Sequence, residues 1–281
     1  MRGLVGVGVL LLTVIATSCA SADEPYDPPS APPSETSSGS TSVAAVEGTF
    51  DVGGHELYIR CQGSGSPTVV YLHGYIFDPS GGGSENAGEI PGLLEDQHQV
   101  CVYDRANVGQ SETVEGPLTG SSSVADLDAL LDAAGVDGPY LLVGASFGGL
   151  LAYTYAATYP DDVVGMVLLD PNLPGFDDGP FDWEATTEQL DQAVASREAS
   201  KLEGEEPAIP VTLIGLEKPE VDFVSSAEEY AAIKEKILAA QQRFLDLFPD
   251  SELVIVDAPH YMEPVIPERI AEEVMAVADR A

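Results

Sequence analysis

Six short runs of continuous apolar residues limit the folds open to this chain of 281 residues. They lie at 69–72, 100–103, 141–143, 166–169, 211–214 and 253–256. None alternates apolar with polar residues, so each is expected to be buried on both faces, as the strands of a parallel sheet are. Helical patterns separate them. Ser123 with Asp126 suits a capping box for a helix carrying Leu127, Leu130, Leu131 and Ala134, which Gly135 ends. Ser226 with Glu229 forms a second box, ahead of Ile233, Ile237 and Phe244. Pro267 can begin a last helix with Ile270, Val274 and Val277 on one face. Ahead of the six runs, 49–52 and 55–61 flank Gly53-Gly54 and read as an antiparallel hairpin. Strands alternating with helices indicate an open α/β sheet, and no internal repeat is visible.

The first fifth of the chain lies outside this pattern. Arg2 supplies a positive start, and 4–15 is apolar but too short to span a bilayer comfortably. It ends in Ala16-Thr17-Ser18-Cys19, which resembles the bacterial lipoprotein signal in which the cysteine becomes the acylated first residue. Ala16 stands where leucine is usual. Residues 1–19 are therefore expected to be a lipoprotein-type signal peptide, with Cys19 lipidated and simple signal cleavage as the rival. Residues 20–46, rich in Ser, Thr, Pro and Ala, lack the apolar surface to offset ordering entropy and read as a tether. The protein is thus expected to be exported, held on the outer face of the membrane by this anchor alone or secreted.

Charge excludes some partners. Against 11 Lys and Arg stand 47 Asp and Glu, a formal net charge of −36. Nucleic-acid binding needs a basic footprint, and anionic headgroups would repel this surface. No cluster of histidines and carboxylates has ligand spacing, so neither metal nor cofactor is expected.

The chemistry centres on Gly144-Ala145-Ser146-Phe147-Gly148. It matches Gly-x-Ser-x-Gly, between an apolar strand and the helix that follows. Such a serine sits on a strained turn, and side chains two residues to either side would collide with strand and helix. A serine hydroxyl near neutral pH needs a base. Of four histidines, His55 and His98 read as surface residues, and His73 ends a strand. His260 follows the last strand and alone comes after Ser146.

With these residues in hand, the chain resembles the α/β-hydrolase superfamily over about 49–281. His73-Gly74 after a strand, the Gly-Ala-Ser-Phe-Gly turn and the late His260 carry the resemblance. So does the stretch Asp104-Arg105-Ala106-Asn107-Val108-Gly109-Gln110-Ser111, similar to the Asp-Arg-x-x-x-Gly-x-Ser of single-domain esterases, lipases and peptidases. The resemblance implies an α/β-hydrolase fold: a mostly parallel twisted sheet, helices on both faces and a small helical cap. The domain would span 47–281, with the cap inserted at about 172–208 and a helix near 184–202. It implies Ser146 as nucleophile and His260 as general base, following the chain order of serine, acid and histidine. It also implies oxyanion donors at the amides of Tyr75 and Phe147, with His73 structural and Asp104 and Arg105 bracing loops.

The acid stays open. Most members place it after the strand that is here 211–214, but Gly215-Leu216-Glu217-Lys218-Pro219-Glu220-Val221-Asp222 lacks the usual spacing. Some place it one strand earlier, where Asp170 stands; Asp170 is preferred, with Glu217 and Asp222 as alternatives. In the cap, Phe176, Phe181 and Trp183 are candidates for an apolar substrate pocket. The superfamily sets the strand of Cys61 beside that of Cys101, within disulfide range, so a Cys61–Cys101 bridge is expected. The function implied is a monomeric serine hydrolase that cleaves small carboxylic esters through an acyl-enzyme. The alternatives are a peptidase of the proline-iminopeptidase kind, with Asp177, Asp178 or Glu184 meeting the substrate amine, and a non-catalytic binding lipoprotein.

Overall fold

The computed structural model describes residues 46–76, 81–175, 189–220 and 226–281. The hairpin is β1 (Val46–Asp51) against β2 (Glu56–Gln62), with Val46 facing Cys61 and Asp51 facing Glu56. At its tip Asp51 Oδ1 accepts from the amides of Gly53 and Gly54 at 2.9 and 3.0 Å, and both glycines hold positive φ.

The apolar runs become β3 (Thr68–Leu72), β4 (Val100–Tyr103), β5 (Tyr140–Ala145), β6 (Val163–Leu169), β7 (Pro210–Leu216) and β8 (Asp250–Val256). One eight-stranded sheet results, in the order β1-β2-β4-β3-β5-β6-β7-β8. The pairings β1–β2 and β2–β4 are antiparallel and the other five parallel. Side chains alternate between two cores. Val70, Leu72, Leu142, Met166, Leu168, Val211 and Leu213 pack with α2 (Gly120–Ala134), α3 (Phe147–Thr158), α4 (Gln192–Ala199) and α5 (Ala227–Leu245). Val69, Tyr71, Leu141, Val143, Val167, Leu169 and Ile214 pack with α1 (Ile90–Leu94) and α6 (Pro267–Ala278). The doubly buried strands of the sequence reading follow from this layering. The exception is β8, none of whose residues is buried: they are half-buried or exposed, with Ile255 44 % exposed. As the last strand it pairs on one side only.

Helix starts follow local capping chemistry. Ser226 accepts from the Glu229 amide at 3.1 Å, and Pro267 opens α6, as the sequence suggests. The start of α2 lies earlier than the Ser123 box. Thr119 Oγ1 accepts from the Ser122 amide at 3.1 Å while Ser122 Oγ accepts from the Thr119 amide at 2.9 Å. This reciprocal cap satisfies two end donors one turn sooner, and Ser123 is then buried inside the helix. In the cap region α4 is followed by a 3₁₀ turn at Ser200–Leu202. Cys19 and the signal and tether segments, Phe176, Asp177, Asp178, Phe181, Trp183, Glu184 and Asp222 lie outside the described residues.

Cys61 and Cys101 face each other across β2 and β4 and are joined as a disulfide, with Cα atoms 4.0 Å apart. Two histidines depart from their reading as surface residues. His98 is buried, with Nδ1 bonded to the Pro67 carbonyl at 3.0 Å. His55 is half-buried and pairs through Nε2 with Asp126 at 3.1 Å. Both find partners far along the chain, which local polarity cannot indicate.

Candidate active site

Because β5, β6, β7 and β8 run parallel, their carboxyl ends share one edge. Ser146 leaves β5 and becomes the residue before α3, with φ 51° and ψ −118°. L-residues avoid that region, and holding one there costs about 1–3 kcal/mol. The flanking glycines make the turn possible. A Cβ on Gly144 would come 2.7 Å from the Gly148 carbonyl oxygen, and one on Gly148 would come 2.0 Å from that of Leu72. Gly149, which the motif does not specify, is needed too: its Cβ would meet Pro171 at 2.4 Å. Backbone bonds tie the turn to its neighbour, with the Ser146 amide donating to the Leu169 carbonyl and the Asn172 amide to the Ser146 carbonyl, both at 2.9 Å.

The next strand end carries Asp170, also at positive φ (39°), with its amide bonded to the Ile214 carbonyl at 2.8 Å. Asp170 Oδ2 lies 2.6 Å from His260 Nδ1. In the sheet order β8 stands two strands from β6, roughly 10 Å away at ordinary spacing. The loop after β8 therefore carries His260 back across the end of β7. The His260 amide donates to Glu220 Oε1 at 3.0 Å, which anchors this loop. Hydrogen bonding to Asp170 is the main cause raising the His260 pKa above its ordinary 6.5, with desolvation opposing it. Of the two candidate acids among the described residues, Asp170 and Glu217, the structure brings Asp170 to the histidine. Glu217 is exposed; its amide donates to the Val256 carbonyl at 2.7 Å and its own carbonyl accepts from Lys234. The Ser146 hydroxyl donates to Asn172 Oδ1 at 3.3 Å, and among the described residues it makes no hydrogen bond to His260.

On the other side of Ser146 lies the turn after β3. A Cβ on Gly74 would come 3.2 Å from Ser146 Cβ, so this turn lies directly against the serine. The ring of the following Tyr75 stacks on that of Phe147 at 4.3 Å between centroids. Both expected oxyanion residues therefore border Ser146. His73 is fully buried, and burial together with nearby Arg105 holds its pKa well below 6.5. The Arg105 amide donates to His73 Nε2 at 3.3 Å, so Nδ1 carries the proton and donates to the Gly74 carbonyl at 2.7 Å.

The Asp-Arg stretch is a self-locked loop. Asp104, 1 % exposed, accepts from the amides of Ser84 (2.7 Å) and Gln110 (2.9 Å). A Cβ on Gly109 would come 2.2 Å from its carboxylate. Ser111 Oγ donates to the Asp104 carbonyl at 2.5 Å. Sequence reasoning missed Asn172 and Glu220. It also missed Glu263, which is buried, accepts from the Tyr71 hydroxyl at 2.5 Å and pins the His260 loop to β3. Burial raises the Glu263 pKa above 4.5. None of the three stands in a motif; only the position of Glu263 three residues after His260 hints at a role.

Among the described residues no group of three or more His, Cys, Asp and Glu could hold a metal ion. No described helix is long and apolar enough to cross a membrane. A family profile described as alpha/beta hydrolase fold matches residues 67–202. Uncharacterized protein YqjL of Bacillus subtilis is 34 % identical over 131 residues, covering 46 % of this chain and 50 % of that protein. Lipase LipV of Mycobacterium tuberculosis is 53 % identical over 55 residues, 20 % of this chain and 21 % of the lipase. The chain thus spans half or less of the length of these curated relatives. Among solved structures, serine hydrolase CCSP0084 from Cycloclasticus zankles superposes with TM-score 0.61 at 14 % identity, covering 84 % of this chain and 98 % of that one.

Proposed function

We propose that the chain belongs to the α/β-hydrolase superfamily, whose fold it has and whose family profile matches residues 67–202, and that it is a serine hydrolase acting on small carboxylic esters. One observation carries the reading: the 2.6 Å bond from His260 Nδ1 to Asp170, at the sheet edge where Ser146 occupies its strained turn. Asp170 fixes the tautomer with the proton on Nδ1, which leaves Nε2 as a base. The Ser146 hydroxyl turns from Asn172 to Nε2 and attacks the ester carbonyl as His260 takes its proton. The amides of Tyr75 and Phe147 receive the oxyanion; as backbone donors they need no reorganisation when charge develops. His260 protonates the leaving alcohol, then activates water to release the acid and free Ser146. The raised pKa supports this exchange, since the imidazolium formed midway is stabilised by its partner.

A fluorophosphonate probe tests the reading. Wild type should label and Ser146→Ala should not. A panel of acyl esters and aminoacyl amides should show ester turnover dominant; preference for an amine-bearing amide would point to a peptidase instead. Absence of labelling in wild type would support the binding-protein alternative. Export with lipidation at Cys19 belongs to the same proposal, and the Cys61–Cys101 disulfide supports an oxidising compartment. Metabolic labelling with a fatty acid that disappears in Cys19→Ser would bear this out. We expect the protein to act as a monomer, with no nucleic-acid partner and no cofactor.

A further inference from the structure

Arg105 is a cation buried to 2 % exposure, and it directs its guanidinium at backbone oxygens. Nη1 donates to the His73 carbonyl at 2.5 Å and Nη2 to the Gly74 carbonyl at 2.6 Å. The Gly74 carbonyl receives a second donor, His73 Nδ1, at 2.7 Å. Two donors on one oxygen fix the plane of the Gly74–Tyr75 peptide. In a trans peptide the carbonyl and the N–H point in opposite directions. Holding the Gly74 oxygen on the Arg105 side therefore sends the Tyr75 N–H to the other side. Gly74 itself lies against Ser146, with its absent side chain directed 3.2 Å from Ser146 Cβ and 3.8 Å from Oγ. The same guanidinium lies over the ring of Phe147, the residue after the serine, 5.9 Å from its centre.

We propose that Arg105 and His73 are positioning residues that grip the Gly74 carbonyl from behind and so aim the Tyr75 amide at the oxygen that becomes negative during attack by Ser146. This rests on the serine-hydrolase reading. A guanidinium suits the task because its planar fork reaches two adjacent carbonyls at fixed spacing, whereas an ammonium is a point donor. The loop around Asp104 supplies the rigidity. Its carboxylate holds the Ser84 and Gln110 amides, and the Arg105 amide is fixed on His73 Nε2. The imidazole is thus donor to one side of the grip and acceptor to the other, which requires it neutral.

The test uses purified full chain, one acyl ester, and an alkyl boronic acid whose complex with the serine carries a negative oxygen. In Arg105→Lys, kcat should fall about 10–100-fold with KM within twofold, and boronate affinity should fall by the same factor as kcat. His73 offers a paired control. Asn can place an amide donor near the Nδ1 position, while Gln places its amide near Nε2. His73→Asn should keep at least ten times the kcat of His73→Gln. The inference is overturned if Arg105→Lys folds and keeps kcat and boronate affinity within twofold, or if KM and kcat/KM change together with kcat untouched. Should Arg105→Lys fail to fold, equal loss in the two His73 variants overturns it. If wild type itself neither labels with fluorophosphonate nor turns over any ester, the serine-hydrolase reading fails first and takes the inference with it. That outcome is distinct from any variant result.

Discussion

Asp170→Asn separates the proposed acid from its rivals. The change keeps the shape and removes the charge from the group 2.6 Å from His260 Nδ1. Two losses follow. The imidazolium formed during attack no longer faces an anion; at about 4 Å between charge centres that interaction is worth about 1 kcal/mol in water and about 4 kcal/mol at the dielectric typical near a protein surface. The His260 side chain is 41 % exposed and that of Asp170 18 %, so solvent screens the pair and the middle of this range applies. The amide can also turn its NH₂ toward Nδ1 and hold the proton on the wrong nitrogen. Together these should lower kcat/KM for an ester by on the order of 10³, at about 1.4 kcal/mol per decade. A second signature lies in pH. His260 must be neutral to accept the Ser146 proton, so wild-type activity should rise with pH through an inflection above 6.5, because Asp170 raises the histidine's pKa. The stability from the pair runs the opposite way: full below 6.5, lost as pH rises through the raised value. Asp170→Asn should move the activity inflection down. Kinetics from pH 5 to 9 on wild type, Asp170→Asn, Glu217→Gln and Asp222→Asn check this. An Asp170→Asn enzyme within tenfold of wild type and with an unmoved inflection would refute the assignment, the more so if Glu217→Gln or Asp222→Asn were the crippled variant.

Other consequences are simpler to state. The Cys61–Cys101 bridge closes a loop of 40 residues, so Cys61→Ala with Cys101→Ala should cost about 2–4 kcal/mol of unfolding free energy in urea. Gly148→Ala forces a methyl to 2.0 Å from the carbonyl oxygen of Leu72 on a central strand, which cannot yield; a loss of about 3 kcal/mol is expected by thermal melting, with activity abolished. Glu263, with its pKa raised by burial above 4.5, contributes stability that is full below pH 4.5 and is lost as pH rises through the raised value. Glu263→Gln does not titrate, so its stability relative to wild type should improve between pH 4 and pH 7 in denaturant titrations.

The site was legible in the sequence where its requirements are local. The Gly-x-Ser-x-Gly turn is visible because two backbone clashes admit only glycine, and both concern residues within the motif or the strand beside it. His260 follows from chain order. Asp170 was preferred over Glu217 and Asp222 on the resemblance alone, because its contact with His260 comes from the return of the His260 loop across β7, a property of the sheet edge rather than of any neighbouring residue. The same holds for Arg105. Its motif announces a loop, but its partners are carbonyls 31 and 32 residues earlier. Helix α2 was misplaced by one turn because Thr119-x-x-Ser122 and Ser123-x-x-Asp126 are both plausible caps, and burial of Ser123 decides between them.

Backbone strain gathers where chemistry is proposed. Among the described residues the non-glycines at positive φ are Asn107, Ser146, Asp170 and Gln189; two are proposed triad members and a third lies in the Arg105 loop. Unfavourable dihedrals persist only where surrounding bonds over-determine them. Here those bonds run from Ser146 to Leu169, from Asn172 to Ser146 and from Asp170 to Ile214. If the strain at Ser146 serves to expose its hydroxyl, relieving it should stabilise the fold while removing function. Ser146→Ala deletes the nucleophile but keeps the strain; Ser146→Gly deletes both. Glycine ordinarily costs roughly 0.5–1 kcal/mol relative to alanine through chain entropy, whereas strain of about 1–3 kcal/mol is released here. The glycine variant should therefore be the more stable of two inactive proteins, by about 1 kcal/mol in urea unfolding. Alanine equal to or above glycine would mean the turn is relaxed, and the argument that the sheet edge holds this serine under strain would fail.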